Sequence, residues 1–311
     1  MAVFFNTDSL PAFNRPVITI GTFDGVHMGH RTILKQVVKH AEDTGGESIL
    51  LTFEPHPRKI IFPDQPLKLL TPLDKKIELA LQTGIDHIVV VPFTKEFAAL
   101  SAQEYIEDFL VQKFKPEAIV IGYDHRFGHD RTGNIDMLKT YRPAHGYKVY
   151  EISAQLIDEA AVSSTKIRHA LQDGKIDEAN KMLGRPYEVK GIVSKGAQLG
   201  RTIGYPTANI VPTDSEKLVP AVGVYAILAK RDNNKEACKG MLNIGYRPTV
   251  SNDMQLSIEA NLFDFNEDIY GETLEVSFIA RLRDEQKFPS LDALKEQLAQ
   301  DKEDALQALS I

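Results

Sequence analysis

The feature that most constrains this fold is a change of hydrophobic pattern close to residue 185. Upstream, short and nearly unbroken apolar runs such as "VITI", "SILLTF" and "HIVVVPF" alternate with amphipathic segments such as "RTILKQVVKHAED" and "DKKIELALQTG". Strands buried on both faces produce such runs, and amphipathic helices cover the faces of a parallel sheet. Residues 1–185 are therefore predicted to form an α/β domain with a parallel sheet.

Residues 186–311 follow a different pattern. Segments such as "YEVKGIVSKG", "GVYAILAKRD" and "ETLEVSFIARL" are rich in β-branched residues or alternate between apolar and polar. The stretch "RDNNKE" between two of these segments is typical of a hairpin turn. This half is predicted to be an antiparallel sheet closed into a barrel. The last amphipathic segment, "SLDALKEQLAQDKEDALQAL", predicts a C-terminal helix capped by Ser290.

Composition excludes several classes of protein. Lys and Arg number 36 against 43 Asp and Glu, for a formal charge of -7, which disfavours binding of long nucleic acids through a basic face. The single cysteine, Cys238, excludes an internal disulfide and a cysteine-based zinc cluster. No apolar run approaches the roughly 18 residues of a membrane span, and the N-terminus lacks the pattern of a secretory signal. We expect a cytoplasmic protein without membrane or nucleic-acid partners; the sequence leaves its oligomeric state open.

The stretch "GTFDGVHMGH", which begins at Gly21, joins an apolar run to a helix. His27 and His30 are three residues apart at the helix start and should share a face. Backbone N–H groups and the positive end of the helix dipole favour anions there, while Gly25 and Gly29 permit tight turns. A glycine-rich loop with incidental histidines, a metal site and a nucleotide-phosphate site all remain possible. The metal site is least favoured, because no glutamate lies between the histidines and no third ligand is obvious nearby.

A second helix start, in "SSTKIRHALQDG", carries hydroxyls and cations. Ser163 or Ser164 can cap this helix, and Lys166 and Arg168 place positive charge near its N-terminus. A capped surface helix is the simpler interpretation of this segment taken alone. Two phosphate-compatible helix starts in one α/β domain favour a nucleotide site, although neither a Rossmann G-x-G-x-x-G nor a Walker A loop is present.

The ordered set "GTFDGVHMGHRTIL", "LTFEPHP", "GYDHRFG" and "SSTKIRHALQDGKIDEANKMLGRPY" resembles the FAD synthetase module of bacterial flavin-making enzymes. The H-x-G-H pattern with a later S-S-T-x-I-R is similar to the nucleotidyltransferase superfamily, whose fold is class I synthetase-like with a Rossmann-type parallel sheet. The resemblance implies adenylylation of FMN by ATP, which yields FAD and pyrophosphate, with the two histidines as catalytic residues on the phosphates. The residues that it assigns to ATP are Gly21, Phe23, His27, Gly29, His30, Asp124, Ser164, Thr165 and Arg168.

The stretch "GAQLGRTIGYPTANI" is the most informative part of the second half. Gly196, Gly200 and Gly204 would let the backbone fold around a ligand. Thr207 supplies a hydroxyl and Asn209 an amide, and either group can bind Mg²⁺ or phosphate. A glycine-rich loop before a strand explains any one of these residues, but it explains the whole set poorly.

"PTAN", "GVYA", "LNIGYRPTV", "SIEANLFDFNEDIYG" and "RLRDEQKFPSLDALKEQL" together resemble the riboflavin kinase family. The resemblance implies ATP-dependent phosphorylation of riboflavin to FMN. Thr207 and Asn209 would hold Mg²⁺ and the ATP phosphates, and Glu259 would be the base on the ribityl 5′-hydroxyl. Taken alone, Glu259 is more typical of a solvent-facing strand residue. The other residues that the family assigns to ATP or flavin are Gly196, Gly200, Gly204 and Arg247.

Two positions depart from the family patterns. Asn261 stands where the kinase family usually has histidine, two residues after the expected base, and His125 replaces the more usual aromatic residue in "GYDHRFG". We expect Mg²⁺ in both sites, ATP as co-substrate, and riboflavin, FMN and FAD as substrates or products. Two alternatives stay open: a nucleotidyltransferase for another acceptor, such as pantetheine phosphate or nicotinamide mononucleotide, and a flavin-binding regulator with decayed catalytic sites.

Overall fold

The structure, a computed structural model, divides into two compact units, Met1–Ser164 and Thr165–Ile311. The residues that it describes are 1–153, 162–195, 200, 203–232, 234, 236–248 and 254–310. Among these residues, no helix combines the length and the apolar character needed to cross a bilayer.

A six-stranded sheet organises the first unit. Its strands are β1 (Ala2–Phe4), β2 (Val17–Ile20), β3 (Ser48–Glu54), β4 (His87–Pro92), β5 (Ala118–Gly122) and β6 (Lys148–Ile152). Their order across the sheet is β1-β4-β3-β2-β5-β6, and every neighbouring pair is parallel. The predicted parallel sheet is confirmed.

Helices cover both faces of this sheet. They are α1 (Met28–Thr44), α2 (Pro57–Ile61), α3 (Leu73–Leu81), α4 (Lys95–Ala98), α5 (Ala102–Glu104), α6 (Gln112–Phe114) and α7 (Ile135–His145), with a π-helical stretch at Tyr105–Val111 and a 3₁₀ turn at His129–Arg131. Alternate strand residues contribute to two separate cores: Ile18 and Ile20 belong to one, and Val17 belongs to the other. Burial on both faces explains why the strands are nearly continuous apolar runs.

The second unit is an antiparallel barrel. Its strands are β7 (Tyr187–Ser194), β8 (Ala208–Pro212), β9 (Gly223–Arg231), β10 (Cys238–Pro248), β11 (Met254–Leu262) and β12 (Thr273–Arg283). The barrel closes in the order β10-β11-β8-β7-β12-β9. "RDNNKE" joins β9 to β10, which pair antiparallel as a hairpin predicts. Both the predicted barrel and the predicted hairpin are therefore confirmed.

In the described part of the chain, the barrel is accompanied by the helices α8 (Ser164–Gln172), α9 (Ile176–Leu183) and α10 (Leu291–Ala308). α10 is the predicted C-terminal helix, and the Ser290 hydroxyl accepts the N–H of Ala293 as a cap. Arg283 at the end of β12 holds α10 through two hydrogen bonds of 2.7 Å to the carboxylate of Asp301. Asp301 is only 1% exposed, so this is a buried, bidentate ion pair.

Residues 165–185 group with the barrel rather than with the parallel sheet. The Asn180 side chain donates to the carbonyl of Phe278 at 2.9 Å and accepts the N–H of Tyr187 at 2.8 Å. The N–H of Ala221 donates to the carbonyl of Leu171 at 2.9 Å. The domain boundary after residue 185 stays a prediction that fragments of the chain can test.

Candidate active sites

Two of the predicted motifs meet at one edge of the parallel sheet. "GTFDGVHMGH" follows β2, and "GYDHRFG" follows β5. These strands are distant in sequence but adjacent and parallel in the sheet, while the chain continues from β2 to β3 on the other side. Ligands of open α/β sheets bind where the strand order reverses in this way, outside the carboxyl ends of the strands.

The loop after β2 has a strained backbone. Phe23 and Val26 adopt left-handed conformations with φ of 47° and 37°, which are unfavourable for bulky residues and rare for a β-branched one. Both side chains are buried in the core, which holds the loop in this shape against a cost of about 1–3 kcal/mol per residue. A Cβ on Gly21 would lie 2.9 Å from the Phe23 ring, so a side chain here would require the buried ring to shift. Such stored strain is typical of a ligand-binding loop.

The two histidines stack at the start of α1. Their ring centroids are 3.6 Å apart with an interplanar angle of 17°, which confirms the shared face. His27 caps the helix, because its Nδ1 accepts the backbone N–H of His30 at 3.3 Å. An Nδ1 atom that accepts carries no proton, so the ring proton of His27 is on Nε2. This hydrogen bond therefore fixes the orientation of the His27 ring.

His30 is held in its neutral form. Burial lowers its pKa well below the ordinary value, and the charges of His27 and Lys76 lower it further. Its Nδ1 is buried and has no hydrogen-bond partner among the described residues. A neutral imidazole with an unpartnered nitrogen is suited to a ligand that brings its own hydrogen-bonding groups.

Asp24 ties this loop to the segment that precedes α3. Its carboxylate accepts the N–H groups of Leu70 at 3.1 Å and Thr71 at 2.9 Å. The carbonyl of Asp24 accepts the hydroxyl of Ser164 at 2.9 Å. Ser164 is the first helical residue of α8, so its hydroxyl bonds to the loop instead of capping the helix.

The remaining predicted residues of the first motif set occupy different environments. Asp124 is exposed just beyond β5. Burial lowers the pKa of His125 to about 4, against the opposing charge of Asp124 and with a smaller contribution from Arg131. Its ring is therefore neutral near pH 7 and lies 5.9 Å from the ring of Phe127. Thr165 and Arg168 lie in the first turns of α8, within the second unit.

Sequence reasoning missed one buried cation in the first unit. Lys76 of α3 is 5% exposed and, as noted, its charge reaches His30. In the sequence it is one of two adjacent lysines in an amphipathic segment, where lysine usually marks the solvent face. The sequence carried no signal for its burial.

A cavity of about 360 Å³ lies in the second unit. Its lining includes three of the predicted kinase residues, Gly200, Thr207 and Glu259, and also Asn261, which departs from the family pattern. Its apolar lining includes Met241, Phe288, Leu294 and Leu298, two of them on α10. The cavity thus combines an apolar wall with a small set of polar groups, as small-molecule sites do.

Two predicted glycines shape the loop before β8. A Cβ on Gly200 would lie 2.2 Å from the carbonyl oxygen of Tyr205, whose N–H donates to the Gly200 carbonyl at 2.9 Å. Gly204 has a left-handed φ of 87°. Both positions thus have a backbone that favours glycine, and their role in binding a ligand stays a prediction. Gly196 lies outside the described residues, and Arg247 lies on β10 opposite Gln255 of β11.

Strand pairing brings the predicted polar residues together. Glu259 of β11 is directly opposite Asn209 of β8, and opposed residues present their side chains on one face of the sheet. Thr207 precedes Asn209 by two residues, and side chains two residues apart on an extended chain point to the same side of the sheet. Ile258 and Ala260 are buried on the other face of β11. Thr207 and Glu259 both line the cavity, and Asn209 lies across the strand pair from Glu259.

Two hydrogen bonds fix this polar row. The hydroxyl of Ser257 donates to Glu259 Oε1 at 2.6 Å. The Asn261 amide donates to the carbonyl of Pro206 at 2.7 Å. Asn261 therefore supports the backbone immediately before Thr207. Asn261, which replaces the usual histidine of the family, therefore still provides a hydrogen-bond donor.

The oxygen donors of Thr207 and Asn209 suit Mg²⁺, which protein side chains rarely bind without help from water and substrate. Among the described residues, no group of three or more His, Cys, Asp or Glu could hold a metal ion. Thr207 and Asn209 offer neutral oxygen atoms. Mg²⁺ often keeps several water ligands and takes one or two protein oxygens together with substrate phosphates.

Comparisons with known proteins agree with these two constellations. Residues 11–166 match the FAD synthetase family, and residues 183–309 match the riboflavin kinase family. The bifunctional riboflavin kinase/FMN adenylyltransferase of Listeria monocytogenes serovar 1/2a is 38% identical over 299 residues, covering 96% of this chain and 93% of its own. The protein of the same name from Escherichia coli strain K12 is 37% identical, covering 92% and 90%.

One solved structure is similar along the whole chain. A crystal structure described as a macrolide-efflux protein from Streptococcus pneumoniae has a TM-score of 0.87 and 32% identity, and the match covers 97% of both chains. The domain matches and the relatives along nearly the full length lead to one conclusion. The chain belongs to the bifunctional riboflavin kinase/FMN adenylyltransferase family.

Proposed function

We propose that the two activities of this family reside in two separate sites of the chain. The protein is a riboflavin kinase and an FMN adenylyltransferase. We assign the kinase to the cavity of the barrel unit and the adenylyltransferase to the two-histidine loop of the first unit. The observation that carries this assignment is that each constellation lies inside the region matched by the corresponding family. The efflux role named for the streptococcal structure is not proposed here, because both halves match flavin-making enzymes.

In the kinase site, the ribityl 5′-hydroxyl of riboflavin would attack the γ-phosphorus of ATP. Glu259 would accept the proton of that hydroxyl as the new P–O bond forms and ADP leaves. The hydrogen bond from Ser257 orients the carboxylate of Glu259. Thr207 and Asn209 would hold Mg²⁺ and the phosphates. Gly200 lets the backbone before β8 approach the Tyr205 carbonyl closely. Mg²⁺, when bound, neutralises charge on the phosphates.

In the adenylyltransferase site, a phosphate oxygen of FMN would attack the α-phosphorus of ATP, and pyrophosphate would leave. This nucleophile is already an anion and needs no general base. The protein must therefore position the phosphates and stabilise the charge that develops on them. His27 and His30 lie at the positive end of α1, where an anion is favoured, and can contribute to both tasks.

Other parts of this site stay predictions. The family resemblance assigns the β- and γ-phosphate oxygens to Ser164, Thr165 and Arg168, and a nucleotide or flavin phosphate to Asp124. A requirement for Mg²⁺ in this site, a cytoplasmic location and the absence of nucleic-acid partners are likewise predictions. Another phosphate acceptor and a decayed regulator are not favoured, since both halves match enzymes of one flavin route.

A pair of substitutions tests whether each reaction takes place in its own site. His27→Ala should lower FAD formation from FMN and ATP by about a hundredfold, the usual cost of removing one oxyanion donor. Its riboflavin kinase rate should stay near wild type. Glu259→Ala should show the opposite selectivity. Chromatography of riboflavin, FMN and FAD after incubation with ATP and MgCl₂ measures both rates.

Far-ultraviolet circular dichroism of each variant is the control for folding. If either substitution abolished both reactions in folded protein, the assignment of two sites would be wrong.

A further inference from the structure

Lys76 occupies an unusual position for a lysine. Its Nζ donates to the Thr52 hydroxyl at 3.3 Å and to the Phe53 carbonyl at 3.5 Å. These residues are at the carboxyl end of β3, the neighbour of β2. The Thr52 hydroxyl in turn donates to the carbonyl of Thr22 at 3.2 Å. One hydroxyl therefore links the ammonium group of Lys76 to the loop that carries the two histidines.

A second connection fixes α3 against the same loop. The Asp24 carboxylate accepts the N–H groups of Leu70 and Thr71, and α3 begins two residues after Thr71. Asp24 is itself buried, so water does not compete for these bonds. Two connections, one through Thr52 and one through Asp24, thus hold the helix that carries Lys76 against the two-histidine loop.

Burial of this ammonium group is costly. Its two hydrogen bonds are long, and desolvation lowers its pKa, opposed by the carboxylates of Glu54 and Asp24 and assisted by Lys59. An apolar side chain of similar length would avoid that penalty. Packing alone therefore does not explain a lysine here.

The charge of Lys76 acts on the reaction site. It lowers the pKa of His30, together with burial and the His27 ring. A cation that disfavours further positive charge on His30 equally favours negative charge near that ring. A phosphate is the group that would supply such charge in an adenylyl-transfer site.

We propose that Lys76 is a positioning residue for adenylyl transfer, which holds the two-histidine loop through Thr52 and stabilises negative charge on the phosphates bound there. This inference rests on the proposed assignment of FMN adenylylation to the first unit. It adds a buried cation to a site in which sequence patterns indicated histidines, hydroxyls and one arginine.

Three variants of the full-length protein separate charge from packing. Lys76→Met keeps the length and volume without the charge, and Lys76→Arg keeps the charge. Lys75→Met is the matched control, since Lys75 is the adjacent residue of α3 and its ammonium pairs with Glu78 at 3.4 Å. The values of kcat and KM for FAD formation from FMN and ATP are measured, with riboflavin kinase activity of the same samples as the internal control.

We expect Lys76→Met to lower kcat for FAD formation at least tenfold, with the kinase unchanged. Lys76→Arg should recover most of this loss, and Lys75→Met should remain within about twofold of wild type, as a small surface effect does. A role in packing alone would not move the titration of His30. NMR titration of ¹³C-labelled histidines should show a higher His30 pKa in Lys76→Met than in wild type.

Wild-type kcat in folded Lys76→Met would overturn the proposal. Equal losses in the Met and Arg variants with an unchanged His30 titration would also overturn it, in favour of packing. If Lys76→Met does not fold, Thr52→Val removes the linking hydroxyl at nearly constant shape, and an unchanged kcat there refutes the role of the link. Failure of the proposed function is distinguishable, because wild type would then form no FAD or His27→Ala would retain full activity.

Discussion

At the scale of single residues, hydrogen-bond partners rather than residue types distinguish the candidate site positions from ordinary ones. Glu259 alternates with Ile258 and Ala260, and the alternation by itself is typical of a solvent-facing strand residue. In the fold, Glu259 accepts a hydrogen bond from Ser257 and borders a cavity. Asn261, two residues on, supports a loop rather than the carboxylate.

Asn261 allows a test at this scale. Asn261→Leu removes the donor to the Pro206 carbonyl at similar volume, and the loss of one intramolecular hydrogen bond typically costs about 0.5–1.5 kcal/mol. Because that carbonyl precedes Thr207, we expect kcat/KM of the kinase to fall by about tenfold, as 1.4 kcal/mol of lost transition-state binding would produce. Steady-state kinetics with riboflavin and ATP measure this change.

Two controls accompany this substitution. Asn261→His, which introduces the residue usual in the family, retains a donor and should keep most of the activity. FAD formation from FMN should be unaffected in both variants. Full kinase activity in Asn261→Leu would show that the Pro206 hydrogen bond does not position Thr207.

At the scale of elements, the docking of α10 completes the cavity. Leu294, Leu298 and Asp301 of this helix all line it. The amphipathic pattern of the C-terminal segment predicted a helix, and Ser290 predicted its start. Neither predicted that Arg283, at the end of β12, would pair with Asp301 and hold the helix against the barrel.

Asp301→Ala tests this docking. It leaves the Arg283 guanidinium, whose side chain is 17% exposed, without its counter-charge, and breaking a buried pair in this way costs about 3–5 kcal/mol. We expect the free energy of unfolding of the barrel unit to fall by roughly this amount, measured by urea denaturation with kinase activity as the probe. Glu303→Ala, an exposed position on the same helix, should change it by less than about 0.5 kcal/mol. Equal effects of the two substitutions would contradict a specific docking role for the pair.

At the scale of the whole molecule, the two compact units divide earlier than the change of sequence pattern. The apolar residues of α9 include Ile176, Ala179 and Leu183, all buried, and Asn180 bonds to two parts of the barrel unit. A helical segment that continues the α/β pattern along the chain thus stabilises the barrel.

Two fragments test where the barrel unit begins. A fragment of residues 165–311 should retain kinase activity and unfold at a higher temperature than a fragment of residues 186–311. The shorter fragment loses the burial of α9, and each large aliphatic side chain contributes about 1.5–3 kcal/mol. Differential scanning calorimetry and kinase assays compare them. Equal melting temperatures would place the boundary after residue 185, as the sequence pattern predicts.

Local sequence patterns were sufficient to predict the fold class of each half and to identify the main motifs. Hydrophobic periodicity predicts parallel strands and barrel strands because burial on one or two faces selects residues within each segment. The shared face of His27 and His30 follows from helical geometry over three residues. The stretches proposed to carry the kinase chemistry were also recognisable, since their motifs resemble those of the riboflavin kinase family.

Only the tertiary structure decided which distant residues meet. Lys76 contacts Thr52, and Asn261 contacts Pro206, because strand order and register bring together segments that are separated along the chain. A sequence pattern records how a segment is buried, whereas a contact between two segments depends on how both are placed. For this reason the sequence by itself could single out the histidines and the threonine–asparagine pair as candidates, whereas the buried lysine, the asparagine support and the docking of α9 required the tertiary structure.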